Sequence, residues 1–195
     1  MASVSRVRLS VSKPFSLKGT VLGYGYWELP PFHWDGAVLR RAESLDGDVH
    51  LLAIRESPSG SRGWARLVLS LLSRGRLSPA ARRELVRRTR TMLGLDHDLR
   101  EFYALCRREP RLRRIPRLGL GRLLRGTTLF EDLVKTIAWT NTTWAQAVKM
   151  IGKRGALGDS CPVVPRFRAW PGPARILEAG PRYLEREAKL GYRTA

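Results

Sequence analysis

The chain has 195 residues, which is enough for one domain or two small ones with a buried core. A hydrophobic content of 43% fits a globular protein rather than a disordered one. The net charge of +19, from 36 Lys and Arg against 17 Asp and Glu, favours an anionic partner, nucleic acid before an acidic membrane.

The first third of the chain predicts an antiparallel sheet. Apolar and polar residues alternate from Val7 to Val11, as in a half-buried strand. Strand patterns recur at residues 37–41, 49–55 and 64–69, and Asp46-Gly47 marks a hairpin turn between the first two of these. The segment Thr20–Leu29 is rich in aromatic residues and glycine, which predicts extended chain with a bend or bulge.

Five aromatic side chains near this segment have two interpretations. They could form a platform on which bases stack, or they could pack in the core against the helices. Core packing is the interpretation we favour. The residues are Tyr24, Tyr26, Trp27, Phe32 and Trp34.

The apolar period becomes helical from Ser78 onwards. Ser78-Pro79 predicts a helix start with proline at the first helical position, and Asp96 is predicted to cap the next helix. The apolar sides of these two helices are Leu85, Thr89, Met92 and Leu93, then Leu99, Phe102, Tyr103 and Cys106. The basic segment 107–116 that follows is either an edge that contacts phosphates or a solvated connector.

A helical hairpin is predicted between Thr128 and Ile151. Thr128 and Glu131 have the spacing of a capping box at a helix start. Two apolar faces follow at helical spacing. They are Phe130, Leu133, Val134 and Ile137, then Trp144, Ala147, Val148 and Ile151. The segment between them, Trp139 followed by four small polar residues to Thr143, predicts a tight turn with Asn141 at its tip.

The last part of the chain predicts a loop and two short helices. The second helix of the hairpin is expected to end at Gly152, before a basic loop over residues 153–168. Residues 173–179 and 181–190 then read as short helices that Gly180-Pro181 separates.

Cysteine and hydropathy patterns exclude several kinds of protein. Two isolated cysteines, Cys106 in a predicted core and Cys161 in a predicted loop, make neither a disulfide framework nor a zinc site. With only three histidines, we expect no metal and no cofactor. No apolar run reaches the length of a membrane span, and Arg6 and Arg8 interrupt the N-terminal apolar residues. We expect a cytoplasmic protein without a membrane partner.

Several short motifs, taken in order, resemble one enzyme family. They are Met92-Leu-Gly-Leu-Asp96, Gly121-Arg-Leu-Leu-Arg125, Phe130-Glu-Asp-Leu-Val-Lys-Thr-Ile137, Thr140-Asn141 and Leu190-Gly-Tyr-Arg193. Together they resemble the helix-hairpin-helix superfamily of DNA base-excision glycosylases, in particular the bacterial 3-methyladenine and 8-oxoguanine glycosylases. The resemblance covers most of the chain. It implies an α+β fold, with an antiparallel sheet domain over residues 1–76 and the first part of the helical core over residues 77–195.

The resemblance also implies roles for residues that contact DNA. Asn141 would enter the space that a flipped nucleotide vacates, and Tyr192 and Arg193 would probe the base opposite. Gln146 and Arg125 belong to the same DNA-binding set by their positions in the motifs. Members of the 8-oxoguanine type carry Arg where this chain has Gln146, so the identity of the lesion stays open. The alternatives are an N-cap for Asn141 and a helix-end packing role for Tyr192.

No catalytic residue can be assigned from the motifs. In the family, a Leu-Pro-Gly-Val-Gly hairpin and a catalytic Asp follow the Gly-Tyr-Arg motif, and neither follows it here. Glu131 and Asp132 are central acids, but their position suits an ordinary helix start. We therefore expect a front portion that lacks a C-terminal half and is inactive alone. The face formed by Phe130, Leu133 and Ile137 should then be partly exposed.

The resemblance implies base-excision repair of alkylated or oxidised purines in double-stranded DNA, by base flipping, in a bacterial cytoplasm in association with the nucleoid. The alternative is a non-catalytic DNA-binding protein of helix-turn-helix type, whose second helix would read DNA with Gln146, Lys149 and Lys153. A basic RNA-associated protein is a third interpretation that rests on charge alone.

Overall fold

Five antiparallel strands form a single sheet in the spatial order β1-β5-β4-β3-β2. The structure is a computed structural model that describes residues 3–58 and 60–186. The strands are β1 (Ser3–Ser12), β2 (His33–Trp34), β3 (Val38–Leu45), β4 (Asp48–Ser57) and β5 (Trp64–Ser73). The four predicted strand segments lie within β1, β3, β4 and β5, except that β3 begins one residue after the predicted start.

The β3–β4 connection is the predicted hairpin turn. Asp46 and Gly47 have φ angles of 51° and 75°. Positive φ at both central residues matches the twist of the flanking strands, and Asp-Gly tolerates it well. The turn therefore sets the register in which Leu45 pairs with Asp48.

The prediction of extended chain over Thr20–Leu29 is wrong. The segment instead begins with the last two residues of a short helix, α1 (Leu17–Val21), and contains a 3₁₀ turn at Tyr26–Glu28. Gly25 enters this turn with a φ of 84°. The Tyr26 ring is buried there against Phe32 and Trp139, so helix packing rather than strand propensity decides the local backbone.

Six further helices lie in the described part of the chain. They are α2 (Pro79–Met92), α3 (Arg100–Arg108), α4 (Arg114–Arg117), α5 (Leu129–Trp139), α6 (Trp144–Gly155) and α7 (Pro173–Arg186). Ser78 caps α2 as predicted, because its hydroxyl accepts the Ala81 N–H at 3.0 Å. Asp96 does not cap α3. It pairs with Arg90, and the Asp98 carboxylate accepts the Arg100 N–H at 2.9 Å instead.

The ends of the last two helices differ from the predictions in part. Helix α6 continues to Gly155, one turn beyond the predicted end at Gly152. Helix α7 is interrupted as predicted, because Gly180 has φ 72° and ψ 168°. Residues 187–190 of the predicted second short helix lie outside the described residues.

One hydrophobic core joins the inner face of the sheet to the helices. Its members come from the strands (Leu52, Ile54, Leu67, Leu69), from α2 (Ala81, Leu85, Met92) and from the hairpin helices (Ala138, Ala147, Ile151). The predicted boundary at residue 76 falls in the connection between β5 and α2. The division into two domains stays a prediction, whereas the α+β class with an N-terminal antiparallel sheet is confirmed.

Most of the aromatic residues near the 3₁₀ turn pack in or against the hydrophobic core. Tyr26 and Phe32 are buried, and Trp27 and Trp34 pack against the same core. Only Tyr24 keeps a large exposed fraction, 41%. Core packing, the favoured interpretation, is confirmed for four of the five.

A second, smaller cluster covers part of the outer face of the sheet. The loop after α6 crosses this face, and Ala169 forms an isolated bridge with Ala42. The loop buries Cys161 and Phe167 against β3 and β4. Cys161 and Cys106 are both buried free thiols. No helix within residues 3–58 and 60–186 is long and apolar enough to cross a membrane.

Candidate nucleic-acid interface

The hairpin of α5 and α6 places Asn141 at an exposed tip. Helix α5 ends at Trp139, and Asn141 follows in a turn with a φ of 51°. Asparagine adopts this left-handed conformation more readily than most residues, because its short polar side chain can bond locally. The helix, tight turn and helix of the sequence analysis are confirmed, and Asn141 is on the surface.

A capping box starts α6, but Asn141 is not part of it. Thr143 is the N-cap, and its hydroxyl accepts the Gln146 N–H at 3.4 Å. In return, Gln146 Oε1 accepts the Thr143 N–H at 3.4 Å and the Thr142 hydroxyl at 2.7 Å. The alternative role of Asn141 as N-cap is therefore wrong. Gln146 is exposed, and its amide oxygen is committed to shaping the turn.

Aromatic contacts hold the hairpin against the N-terminal segment. The rings of Trp139 and Trp144 lie 5.5 Å apart between centroids. The Trp144 indole donates to Glu28 Oε2 at 3.0 Å. A Cβ atom on Gly25 would lie 3.3 Å from the Trp144 ring, so this glycine also permits the close approach. The tip is therefore carried by a packed base rather than by a free loop.

Of the other predicted DNA contacts, the structure describes Arg125 but not the two residues near the C-terminus. Arg125 is half-buried, and its guanidinium donates to the Thr91 carbonyl at 3.2 Å near the end of α2. A cation there stabilises the unpaired carbonyl groups of a helix C-terminus. Tyr192 and Arg193 lie outside the described residues.

A buried charge cluster lies between the sheet and α5. We define it as Arg41 and Glu43 of β3 together with Glu131 and Lys135 of α5, all between 0% and 2% exposed. Arg41 Nη2 lies 3.0 Å from Glu131 Oε2, and Lys135 Nζ lies 2.6 Å from Glu131 Oε1. The Arg41 Nε group contacts Glu43. Buried ions need such partners, because each loses its hydration.

The cluster corrects the interpretation of Glu131 as an ordinary helix-start acid. Thr128 caps α5, and its hydroxyl accepts the Glu131 N–H at 3.1 Å. The Glu131 carboxylate, however, turns inward to Arg41 and Lys135, so only half of the predicted capping box forms. The spacing of Glu131 and Lys135 is that of a helical ion pair, and this was the only signal of the cluster in the sequence. No local pattern pointed to Arg41.

The cluster shifts the pKa values of its members. Burial alone would raise the pKa of Glu131, but the charges of Arg41 and Lys135 outweigh burial and lower it to about 2. Burial lowers the pKa of Lys135 to about 8, even though Glu131 opposes that change. The ammonium group lies 4.7, 5.1 and 4.8 Å from the ring centroids of Tyr26, Phe32 and Trp170. These ring faces offer the buried cation a favourable quadrupole in place of water.

Asp132, the second central acid, is also occupied. Its Oδ1 accepts the Tyr26 hydroxyl at 2.5 Å and the Gly126 N–H at 2.7 Å. Both bonds tie the start of α5 to the preceding loop and to the 3₁₀ turn. Within residues 3–58 and 60–186, no group of three His, Cys, Asp or Glu side chains could hold a metal ion.

Helix α5 exposes the apolar face that the sequence singles out. Leu133 and Ile137 are each 51% exposed, Leu129 is 74% exposed and Phe130 is half-buried. The predicted partial exposure is confirmed. The helix is thus inverted relative to a usual surface helix, with charges inside and apolar residues outside.

Comparison with solved structures identifies this fold. No protein-family model and no curated protein matches the chain. A 3-methyladenine DNA glycosylase from Archaeoglobus fulgidus is 22% identical with a TM-score of 0.72, over 97% of this chain and 63% of that one. MBOgg1, in complex with a low-affinity DNA ligand, is 15% identical with a TM-score of 0.63, over 100% of this chain and 62% of that one.

The 8-oxoguanine glycosylase/lyase of Clostridium acetobutylicum is 18% identical with a TM-score of 0.63. That protein is bound to double-stranded DNA with cytosine opposite 8-oxoguanine, and the match covers 100% of this chain and 61% of that one. The chain thus spans less than two thirds of the length of these proteins. At these identities the shared property is the fold, and the chain has the α+β fold of the 3-methyladenine and 8-oxoguanine DNA glycosylases.

Proposed function

We propose that the chain is the front part of a DNA N-glycosylase of base-excision repair, which acts on alkylated or oxidised purines by base flipping. The observation that carries the proposal is Asn141, exposed at the tip of a capped helical hairpin on a glycosylase-like fold. A flipped nucleotide leaves a hole in the duplex, and a short amide can fill it and bond to base edges.

Duplex DNA is the partner that this proposal requires. MBOgg1 and the Clostridium acetobutylicum enzyme, which share the fold, are both in complex with DNA. The net charge of +19 suits the same polyanion. We propose further that Tyr192 and Arg193 contact the base opposite the lesion, and that Gln146 approaches DNA beside Asn141. The location would be a bacterial cytoplasm, in association with the nucleoid.

Neither of the two central acids, Glu131 and Asp132, is the catalytic group in this proposal. The carboxylate of Glu131 is buried between two cations, and that of Asp132 is bonded to Tyr26 and Gly126. Neither is placed to attack a sugar or to activate water. We propose that a further helical segment, in a longer chain or in a partner chain, covers Leu133 and Ile137 and supplies the catalytic acid. The present chain would then bind damaged DNA weakly and release no base.

Binding to damaged and undamaged duplexes of the same sequence tests the proposal. Fluorescence anisotropy would compare an abasic-site duplex, an 8-oxoguanine duplex and an alkylated-purine duplex with an undamaged duplex of the same sequence. We expect a preference of about tenfold, or about 1.4 kcal/mol, for at least one damaged duplex. A preference for one undamaged sequence would favour the helix-turn-helix regulator instead. Base release in a single-turnover assay would contradict the proposed inactivity.

A further inference from the structure

The outer face of the sheet carries a group of arginines that the proposed function does not use. We define the arginine face as Arg6 and Arg8 of β1, Arg55 of β4 and Arg66 of β5, with Arg82 of α2 at its edge. These side chains line a groove of about 640 Å³. Arg66 is half-buried and the other four are exposed. The groove lies beside the region that the loop after α6 covers.

The strand register places these arginines in neighbouring rows. Arg8 pairs with Val68, and Val68 pairs with Arg55, so one row across three strands has a guanidinium at each end. Arg6 lies two residues before Arg8 on the same strand face, and Arg66 lies two residues before Val68. Two residues of strand span roughly 7 Å, which is about twice the 3.4 Å spacing of the phosphates of one DNA strand measured along the helix axis.

No acid balances this charge. The outer-face positions of β1, β4 and β5 contain no Asp or Glu in the part of the chain that the structure describes. Arg82 donates to the carbonyl of Arg6 at 3.3 Å, which leaves its charge uncompensated. Arg87, Arg100 and Arg175, by contrast, each have an acidic partner within 3.1 Å. Like charges held together raise the energy of the free protein, and a bound polyanion would relieve that repulsion.

We propose that the arginine face is a second nucleic-acid surface, which grips the phosphate backbone of a DNA segment other than the one at Asn141. The inference rests on the proposed function, because DNA is the polyanion that the proposed function supplies. Guanidinium groups bind phosphate oxygens bidentately. A groove admits a rod such as a nucleic-acid strand, whereas a bilayer, which is flat on this scale, would meet only its rim.

The two surfaces lie on opposite sides of the sheet. Ala138, Ala147 and Ile151 of the hairpin share the core with the inner-face residues Leu67 and Leu69. The arginine side chains leave the same strands on the outer face, since side chains alternate along a strand. One straight stretch of duplex therefore cannot lie against both surfaces. The arginine face would hold a bent flank or a second duplex.

A pair of charge-matched variants tests the proposal. The first replaces three residues of the face, Arg8→Gln, Arg55→Gln and Arg66→Gln. The control makes the same change at the three ion-paired arginines, Arg87→Gln, Arg100→Gln and Arg175→Gln. Both variants lose the same net charge. Circular dichroism and thermal melting would verify that both are folded.

The readout is the dissociation constant for a long undamaged duplex, measured by anisotropy over a series of salt concentrations. Each phosphate contact contributes about 0.9 to the slope of log affinity against log salt, so the first variant should lose roughly 2 to 3 from that slope. We expect its affinity at low salt to fall about tenfold, or about 1.4 kcal/mol, whereas the control should stay near wild type. Equal losses in both variants would overturn the proposal, because net charge alone would then explain binding.

Two further measurements separate this inference from its alternatives. The ratio of affinities for abasic and undamaged duplex should be the same in wild type and in the first variant, because the hairpin is untouched. The wild type could show no preference for abasic duplex while the first variant still has a smaller salt slope. That result would contradict the proposed function but would support the arginine face as a nucleic-acid surface. Sedimentation with vesicles of phosphatidylcholine and phosphatidylserine in equal parts probes a lipid partner. Loss of vesicle binding with unchanged DNA affinity would overturn the inference.

Discussion

Lys135 Nζ lies 2.6 Å from Glu131 Oε1, one helical turn earlier on α5, and both side chains are fully buried. A buried ion pair repays its lost hydration only with good geometry and further partners. Here Arg41 adds a second cation to Glu131, and three aromatic rings surround Lys135. The pair itself lies within α5, and the contact of Glu131 with Arg41 of β3 joins this helix to the sheet, so the hairpin depends on that contact.

A double-mutant cycle on this pair should show strong coupling. Glu131→Gln and Lys135→Met should each lower the free energy of unfolding by about 3–5 kcal/mol, because each leaves an uncompensated buried charge. The double variant should lose less than the sum, with a coupling of roughly 1–3 kcal/mol. Urea denaturation measures all four proteins. The surface pair of Glu84 and Arg87 is the control, and its coupling should stay below about 1 kcal/mol. Additive losses at Glu131 and Lys135 would contradict the expected role.

Acid should destabilise the protein through Glu131. Its pKa is lowered from 4.5 to about 2 in the folded state, so the folded state binds fewer protons than the unfolded state between these values. The stability it contributes is present above pH 4.5 and is lost as the pH falls towards about 2. One pKa unit corresponds to about 1.4 kcal/mol, so the loss is on the order of 3 kcal/mol.

Urea denaturation at several pH values measures this loss, with and without about 0.5 M NaCl. Salt screens exposed pairs such as Asp98 with Arg100 but not the buried cluster. The acid-dependent loss from Glu131 should therefore persist in salt. If salt abolished the pH dependence, surface carboxylates rather than Glu131 would be its source.

Two substitutions of Asn141 distinguish the effect of its backbone conformation on stability from the effect of its side-chain amide on DNA binding. Asn141→Gly suits the φ of 51°, so the free energy of unfolding should change by less than about 1 kcal/mol. Asn141→Ala should cost about 1–2 kcal/mol more, because Cβ is strained in this conformation. Both remove the amide, so both should lose the preference for damaged over undamaged duplex in anisotropy measurements. If Asn141→Gly kept that preference, the amide would not be the group that fills the vacated space.

Gln146→Glu asks whether the start of α6 approaches DNA. Glutamate preserves the capping box and suits the positive end of the helix dipole, so thermal stability should be unchanged or slightly higher. DNA affinity should fall about tenfold, or about 1.4 kcal/mol, because a carboxylate next to the tip repels phosphates. Thr143→Ala is the matched control. It should cost about 1 kcal/mol of stability by removing the cap, and it should leave DNA affinity almost unchanged. An unchanged affinity for Gln146→Glu would place this residue away from DNA.

Polar substitutions on the exposed face of α5 should change association rather than folding. Leu133→Gln with Ile137→Gln should alter the free energy of unfolding by no more than about 0.5 kcal/mol per site, because both residues are half exposed. Sedimentation velocity should show concentration-dependent self-association of the wild type and less in the double variant. Leu85→Ala, in the core, is the contrast and should cost about 2–5 kcal/mol. A large loss of stability in the double variant would mean that this face is already packed.

The sequence predicts well wherever a local rule decides. The Asp46-Gly47 turn, the Ser78-Pro79 helix start and the Gly180 interruption depend on the backbone preferences of one or two residues, and all three are confirmed. The exposure of Asn141 also follows from local rules, because small polar residues disfavour a helix interior between two apolar faces.

Other features depend on contacts between distant residues, and local sequence patterns do not predict them. The segment from Thr20 to Leu29 has strand propensity, yet Tyr26 is drawn into a 3₁₀ turn by Phe32 and Trp139. Asp96 is a residue type that commonly caps helices, but its carboxylate forms an ion pair with Arg90 instead. In both cases a tertiary contact outweighs a local preference worth about 1–2 kcal/mol.

The buried charge cluster is the clearest example of a feature that the sequence alone does not predict. The sequence by itself determined the fold class, the helical hairpin and the exposed apolar side of α5, because periodicity and turn chemistry are properties of neighbouring residues. Only the tertiary structure decided that Glu131 faces Arg41 across 90 positions, and that the arginines of three strands share one groove. Strand register and helix docking create those contacts. The sequence around a charged residue does not show which distant residue will neutralise it.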